Sequence, residues 1–382
     1  MAVNRRPAGS AYRAVAVFAA AGTDAWGPVQ ELRGVPSLRL VPTPRHATVL
    51  LVAGTVPGEH LEALQRVHDQ VPLPRTTIGW RPGGAATEIP YHRTAVDGLD
   101  AVVDAIARTA SGELPAAVAG ARAGIRGSDR GAGRPATGHG DLLPDEDPHE
   151  WRGIGPFGQG GEGMMGGTPY GRPMAMTADD RDGLALDRLH LSLGPFLDAL
   201  PAGLLLDVTL QGELLQEVSP RLPAVGAGRQ TPPTPTDAGV HGLRWLSHAL
   251  HVAGLDALAA RAARLATDTT RATTGTDRSR VARRTAWLLW AVARSGIIRG
   301  LRGVGHDART GEDGAMRWRR RLSEIEQGLY RDRLTEPAHM TTPDETRAVL
   351  ERVLPGMTWA DAVSTVVGLD LLGPHLPADV PA

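Results

Sequence analysis

The sequence predicts an α/β domain with a mostly parallel sheet at residues 12–110 and an all-helical domain at residues 242–374. A largely disordered linker (111–163), a small β-hairpin module (164–220) and a Pro-rich linker (221–241) lie between them. Three observations carry this reading. Over 12–110, short apolar runs rich in β-branched residues alternate with segments of helical period, as in sheets covered on both faces by crossover helices. Beyond Gly242 the apolar period is helical throughout. The chain holds 47 glycines and 30 prolines in 382 residues, about a fifth of its length, against about 12% ordinarily.

The first predicted strand is Ala14–Ala21, AVAVFAAA. Arg5 and Arg6 before it and small residues after it also imitate a signal-like segment. The strand is the stronger reading, because the run is short, contains Val15, Val17 and Phe18, and opens a β/α pattern. Leu38–Val41 and Thr48–Gly54 follow as buried strands. Glu59–Val71 is a helix, with Leu61, Leu64 and Val67 on one face and Pro72 as its stop. Thr76–Trp80 is a strand, and Val96–Ala110 is a helix carrying Leu99, Val102, Val103 and Ile106 on one face.

Residues 111–163 lack apolar periodicity before Trp151 and include an acidic cluster from Asp141 to Glu150. In the β module, Leu204–Leu210 and Leu214–Val218 flank a Gln211-Gly212 turn. The predicted C-terminal helices are Leu243–Ala266, Arg278–Ser295, Met316–Leu334, Pro343–Leu354 and Trp359–Leu372, the last capped by Thr358 with Asp361 three residues on.

Composition excludes several chemistries. There is no cysteine, which removes disulfides, thiolate catalysis, cysteine-held zinc, and iron–sulfur or nickel–iron centres held by thiolates. All 41 basic residues are arginine, so a Walker-A lysine and a Schiff-base lysine are excluded as well. A net charge of −1 gives no global field to steer the protein to nucleic acid or membrane. The longest membrane-like run, Thr285–Ala293, is far short of the roughly 18 apolar residues of a span.

The segment Leu38–Trp80 resembles the small, cluster-bearing subunit shared by respiratory complex I and membrane-bound nickel–iron hydrogenases. Pro44-Arg45-His46-Ala47, Val52-Ala53-Gly54 and the run Val67-His68-Asp69-Gln70-Val71-Pro72-Leu73-Pro74-Arg75 match that family's motifs in order. The similarity covers residues 12–110 and implies a flavodoxin-like domain. A weaker one covers 189–218: Gly194-Pro195 and Leu210-Gln211-Gly212-Glu213 look like the N-terminal hairpin of the large, quinone-facing subunit.

The departures from the family are as informative as the matches. The family implies a C-x-x-C pair after the first strand, where this chain has Gly22-Thr23-Asp24-Ala25-Trp26. It implies a third thiolate after the strand ending near Gly79, where Trp80 and Arg81 stand, and a fourth in a loop absent here. Thr, Asp and Trp do not replace soft thiolates around iron. The turn whose histidine the family implies at the quinone head-group reads Gly194-Pro195-Phe196-Leu197-Asp198.

Other polar groups are candidates. Tyr170, Arg172, Asp179, Asp180, Arg181 and Asp182 form either a small-molecule or cation site or a turn with local ion pairs. Gly158–Gly167 lacks the lysine and the strand–helix frame of a phosphate loop and reads as a flexible loop. His241, His248 and His251 read as polar surface histidines, with a two-histidine metal site as the alternative.

From Arg278 to Arg302 there are seven arginines and no acid. Arg280, Arg284, Trp287 and Arg294 share a helix face that suits an acidic partner, an anionic membrane surface or internal ion pairs; a nucleic-acid backbone is the weakest option.

The expectation is therefore a degenerate complex I-like or hydrogenase-like protein without cofactor, metal or catalytic residues of its own. It would be an accessory subunit or assembly factor whose partners are the other subunits of such a complex, cytoplasmic or peripheral on the inner face of the membrane. The alternatives are an enzyme built on Tyr170, Arg172 and Asp179–Asp182, and a basic-helix module that binds lipid or a partner.

Overall fold

The computed structural model describes residues 14–93, 98–110, 176–179, 185–222, 235–330 and 343–371. The predicted linker 111–163, the glycine loop at 158–167, and Tyr170, Arg172, Asp180, Arg181 and Asp182 lie outside the described residues.

Four strands, β1 (Val15–Ala21), β2 (Leu38–Leu40), β3 (Val49–Val56) and β4 (Thr76–Gly84), form a wholly parallel sheet in the order β2-β1-β3-β4. Helix α1 (Trp26–Glu31) joins β1 to β2, α2 (Leu61–Gln70) joins β3 to β4, and α3 (Leu99–Ala110) follows. Side chains alternate across the strands. Val17, Val49, Leu51 and Ile78 face a core with α1 and α3, whereas Phe18, Leu50, Val52 and Leu64 fill one with α2. Val49 to Ala53 are all fully buried, which is why that strand reads as a continuous apolar run. The apolar run Ala14–Ala21 is thus realised as a strand paired on both sides.

A second sheet is antiparallel, in the order β5 (Met176–Asp179), β6 (Ala185–Leu193), β7 (Leu205–Gln211), β8 (Leu214–Arg221). β7 and β8 turn at Gly212, whose φ of +60° favours glycine. The free edge of β8 is covered: Leu215 exchanges backbone hydrogen bonds with Met357 and Gly356, and Trp359 N–H donates to Glu213 C=O.

The helical region comprises α4 (Pro235–Val252), α5 (Asp256–Arg271), α6 (Gly275–Arg294), the single turn α7 (Ile297–Gly300), α8 (Gly314–Tyr330), α9 (Pro343–Val353) and α10 (Trp359–Leu369). Three expectations are corrected. The segment Leu243–Ala266 is two helices, broken at Gly254, which takes a φ of +74°. Helix α4 begins at Pro235, inside the stretch read as a linker to residue 241; Pro is well placed at a first helical position. Helix α1 was not expected. The Thr358 cap on α10 is present, its hydroxyl accepting from Asp361 N–H at 3.2 Å.

Trp245 of α4 packs edge-on against Trp318 of α8 at 5.3 Å and donates its indole N–H to Val367 C=O at 2.8 Å. Leu204, Leu206, Val208 and Leu215 of the antiparallel sheet share one core with these helices. The boundary drawn in sequence between β module and helical domain therefore runs through a single core.

Candidate functional site

Helix α4 has two working faces. Val240, Leu243, Leu246 and Leu250 point into the helical core. A second stripe at helical spacing, His241, Arg244, His248 and His251, turns towards the parallel-sheet unit. Trp26 of α1 sits in that stripe, edge-on to His248 at 5.3 Å and 6.5 Å from His241. Arg244 donates to the buried carboxylate of Glu31, Nε at 2.8 Å, and Thr267 of α5 donates to the same carboxylate at 2.6 Å. Gly34 fits against Arg264 and Ala263 of α5 because it has no Cβ. His241 and Arg321 both reach the buried Asp370, at 3.0 and 3.4 Å.

The loop from Gly194 to Leu204, between β6 and β7, closes this junction. Its Asp198 accepts from Arg33 at 2.6 Å and faces His251 Nε2 at 2.9 Å; His248 Nε2 meets the Asp198 C=O at 2.9 Å. His251 Nδ1 faces Asp256 at 2.7 Å. Desolvation alone would raise the Asp198 carboxyl, but Arg33 and the two histidines outweigh it and hold it well below the usual carboxylate range. Burial, reinforced by Arg33, lowers His248 to about 4. At neutral pH one group is fixed as an anion and the other as neutral imidazole, so neither is poised to exchange protons there. A cavity of about 300 Å³ opens beside them, lined by Pro42, Leu197, Val252, Trp359 and Val363 as well as Asp198 and His251. Its two polar side chains already satisfy each other.

The same loop reaches the carboxyl edge of the parallel sheet. Phe196 stands edge-on to His60 at 6.4 Å and lies against the ends of β1 and β3. About 10 Å³ remains there among Gly22, Thr23, Val56, His60, Phe196 and Gly203. Just behind, the Asp24 carboxylate accepts from Thr55 N–H at 2.8 Å and from its hydroxyl at 3.1 Å. Burial lowers the His60 pKa.

The histidine reading is corrected: His248 is buried, and His241 and His251 are bonded to carboxylates. Among the described residues no group of three or more His, Asp or Glu is placed to hold a metal ion. Asp179 ends β5, its backbone in register with Ala185; the rest of that polar group lies outside the described residues.

The arginine helix is organised as a face. Val281, Leu288 and Val292 are buried, while Arg280 pairs with Asp277 at 3.3 Å and Arg284 with Asp268 of α5 at 3.4 Å. Trp287 lies under the Arg261 guanidinium and Trp290 under that of Arg294, at 3.9 and 4.3 Å from the ring centroids.

Asp198, Arg33, Glu31 and Arg244 were not anticipated. Their sequence signal was the His/Arg stripe of α4, a polar line at helical spacing on a helix whose opposite face was already apolar. Comparison with family models, curated proteins and solved structures finds no match.

Proposed function

We propose that this chain is a non-catalytic accessory subunit or assembly factor of a membrane-associated oxidoreductase. In this reading it joins in one polypeptide parts similar to the small and large subunits of the complex I and hydrogenase lineage. One juxtaposition carries the reading. The loop in which the resemblance implies a quinone-touching histidine, Gly194–Leu204, lies against the ends of β1 and β3, beside the stretch in which it implies the first cluster ligands. Two similarities recognised separately in the sequence thus meet at one edge. The sheet order β2-β1-β3-β4 also supports a flavodoxin-like assignment, in which ligands bind at the carboxyl ends of β1 and β3.

An iron–sulfur cluster does not fit that edge. No thiolate is available, the Asp24 carboxylate is committed to Thr55, and Phe196 and His60 leave space for about one water molecule. No electron-transfer step through this chain follows. What remains is shape and rigidity: a plugged edge and a junction of fixed charges that hold a parallel sheet, a loop and a helical bundle together.

Deleting the gene and resolving the native membrane complexes by electrophoresis tests the proposal. Loss of a high-mass oxidoreductase complex, restored by the full chain, is expected. An unchanged set of complexes would overturn it.

A further inference from the structure

A cavity of about 460 Å³ lies between α6, α7 and α8. Leu289, Ala293, Ile298 and Leu322 supply its apolar wall. Arg299, Arg302 and Arg319 are exposed at its margin, with Glu326 as the one acid among its lining residues. None of these three arginines forms an ion pair with a described residue, whereas the arginines of the junction do. Exposed guanidinium groups with no ion pair to a described residue, around an apolar hollow, fit an anionic head with an apolar body.

The surroundings extend the same chemistry. Among the described residues the exposed large apolar side chains are Leu73, Leu189, Trp287, Trp290 and Met316. Three of these five belong to α6 and α8, which wall the cavity. Trp290 precedes Ala293 by three residues, and Met316 precedes Arg319 by three, so each shares a helix face with a lining residue. Arg278, Arg283 and Arg294 add positive charge along α6 without a described acidic partner. Half-exposed indoles among arginines, over a helix whose opposite face is locked into a core, make a flat docking face rather than a helix free to insert.

We propose that the α6–α8 face docks on an anionic phospholipid bilayer, with one lipid phosphate held by Arg299, Arg302 and Arg319 and the start of its acyl chain against Leu289, Ile298 and Leu322. A nucleic-acid strand offers phosphates but no apolar body for the cavity wall, so the lipid surface is the better occupant. The inference stands apart from the subunit reading, because it needs only this chain and a membrane.

The test is co-sedimentation of the purified full-length chain with vesicles of phosphatidylglycerol and phosphatidylcholine in equal parts, against pure phosphatidylcholine. Binding to the anionic vesicles alone is expected, weakening as salt rises from about 50 to about 500 mM. The combined Arg299→Gln, Arg302→Gln and Arg319→Gln variant should lose about 100-fold in affinity, at roughly fivefold per arginine. Trp287→Ala with Trp290→Ala should lose about tenfold, and Arg39→Glu on the parallel sheet should change nothing. Circular dichroism checks that each variant is folded. No binding, equal binding to both vesicle types, or a folded arginine variant that binds like the parent would overturn the proposal. Tighter binding of a single-stranded RNA oligonucleotide than of the anionic vesicles would overturn it in favour of a nucleic-acid surface. None of these results depends on an oxidoreductase being present, so failure here leaves the subunit proposal standing.

Discussion

Asp198 accepts a 2.6 Å ion-paired hydrogen bond from Arg33, a residue 165 positions earlier in the chain. The pair ties the β6–β7 loop to the turn that follows α1, and the α4 histidines close around it. The Arg33 side chain is only 7% exposed and that of Asp198 21%. Removing either partner strands a poorly solvated charge, so Arg33→Ala or Asp198→Ala should each cost about 2–4 kcal/mol. Urea unfolding of both single variants and of the double variant checks this. The double variant should cost less than the sum of the singles by about 1 kcal/mol or more; strict additivity would mean that the pair is not coupled.

Acid should unfold the protein earlier than surface titration alone would predict. His248 is held at about 4 in the folded chain, against about 6.5 when unfolded. A depressed value means that the unfolded chain takes the proton first. Stability from this group is therefore complete above pH 6.5, falls as pH drops towards 4, and levels below it, with a total on the order of 3 kcal/mol. His60, His68 and His92, also lowered by burial, add the same sign. Urea midpoints from pH 7.5 to 4.5 should fall steeply in the parent. In His248→Leu the slope should be shallower, from a lower starting stability.

Phe196 is the plug at the sheet edge. Phe196→Ala should cost about 1–3 kcal/mol, the lower part of the range for truncating an aromatic because the ring is only partly buried. Hydrogen exchange of the amides around Gly22 and Val56 should accelerate more than that of the amides in α8. Uniform acceleration would mean that the residue supports the whole fold rather than this edge.

Gly54 needs its missing side chain. Its φ is +74°, and a Cβ there would run into the Asp24 carboxylate and Ala25. Gly54→Ala should cost about 1–3 kcal/mol, by strain and by breaking the clasp between Asp24 and Thr55. Thermal melting of Gly54→Ala beside Asp24→Asn checks this: if the clasp is the common target, the double variant melts close to Gly54→Ala alone.

The strands of the parallel sheet were readable because strands buried on both faces leave uninterrupted apolar runs, as Val49–Ala53 does; β5 and β6 of the antiparallel sheet were not read as strands. Helix α1 was not, because its six residues contain Gly27 and Pro28 and are too few for a period to register. The break between α4 and α5 was hidden because a glycine inside a helical pattern is ambiguous until its φ is known. The junction was the least legible part. His248 finds its partner 50 residues away and Arg244 finds Glu31 213 residues away, and no local spacing encodes such a pairing. What the sequence did expose was the three histidines of α4 and the shared face of Arg280, Arg284, Trp287 and Arg294 on α6; it did not choose between a partner surface and the internal pairs that Arg280 and Arg284 make with Asp277 and Asp268.

The most direct test of the central claim is purification of the natively expressed, tagged chain from solubilised membranes, with mass spectrometry of what accompanies it. Stoichiometric subunits of an oxidoreductase related to complex I or hydrogenase are expected to accompany it, with no iron–sulfur signal assignable to this polypeptide. A chain recovered alone as a monomer, or one carrying a stoichiometric redox-active cluster, would contradict the claim.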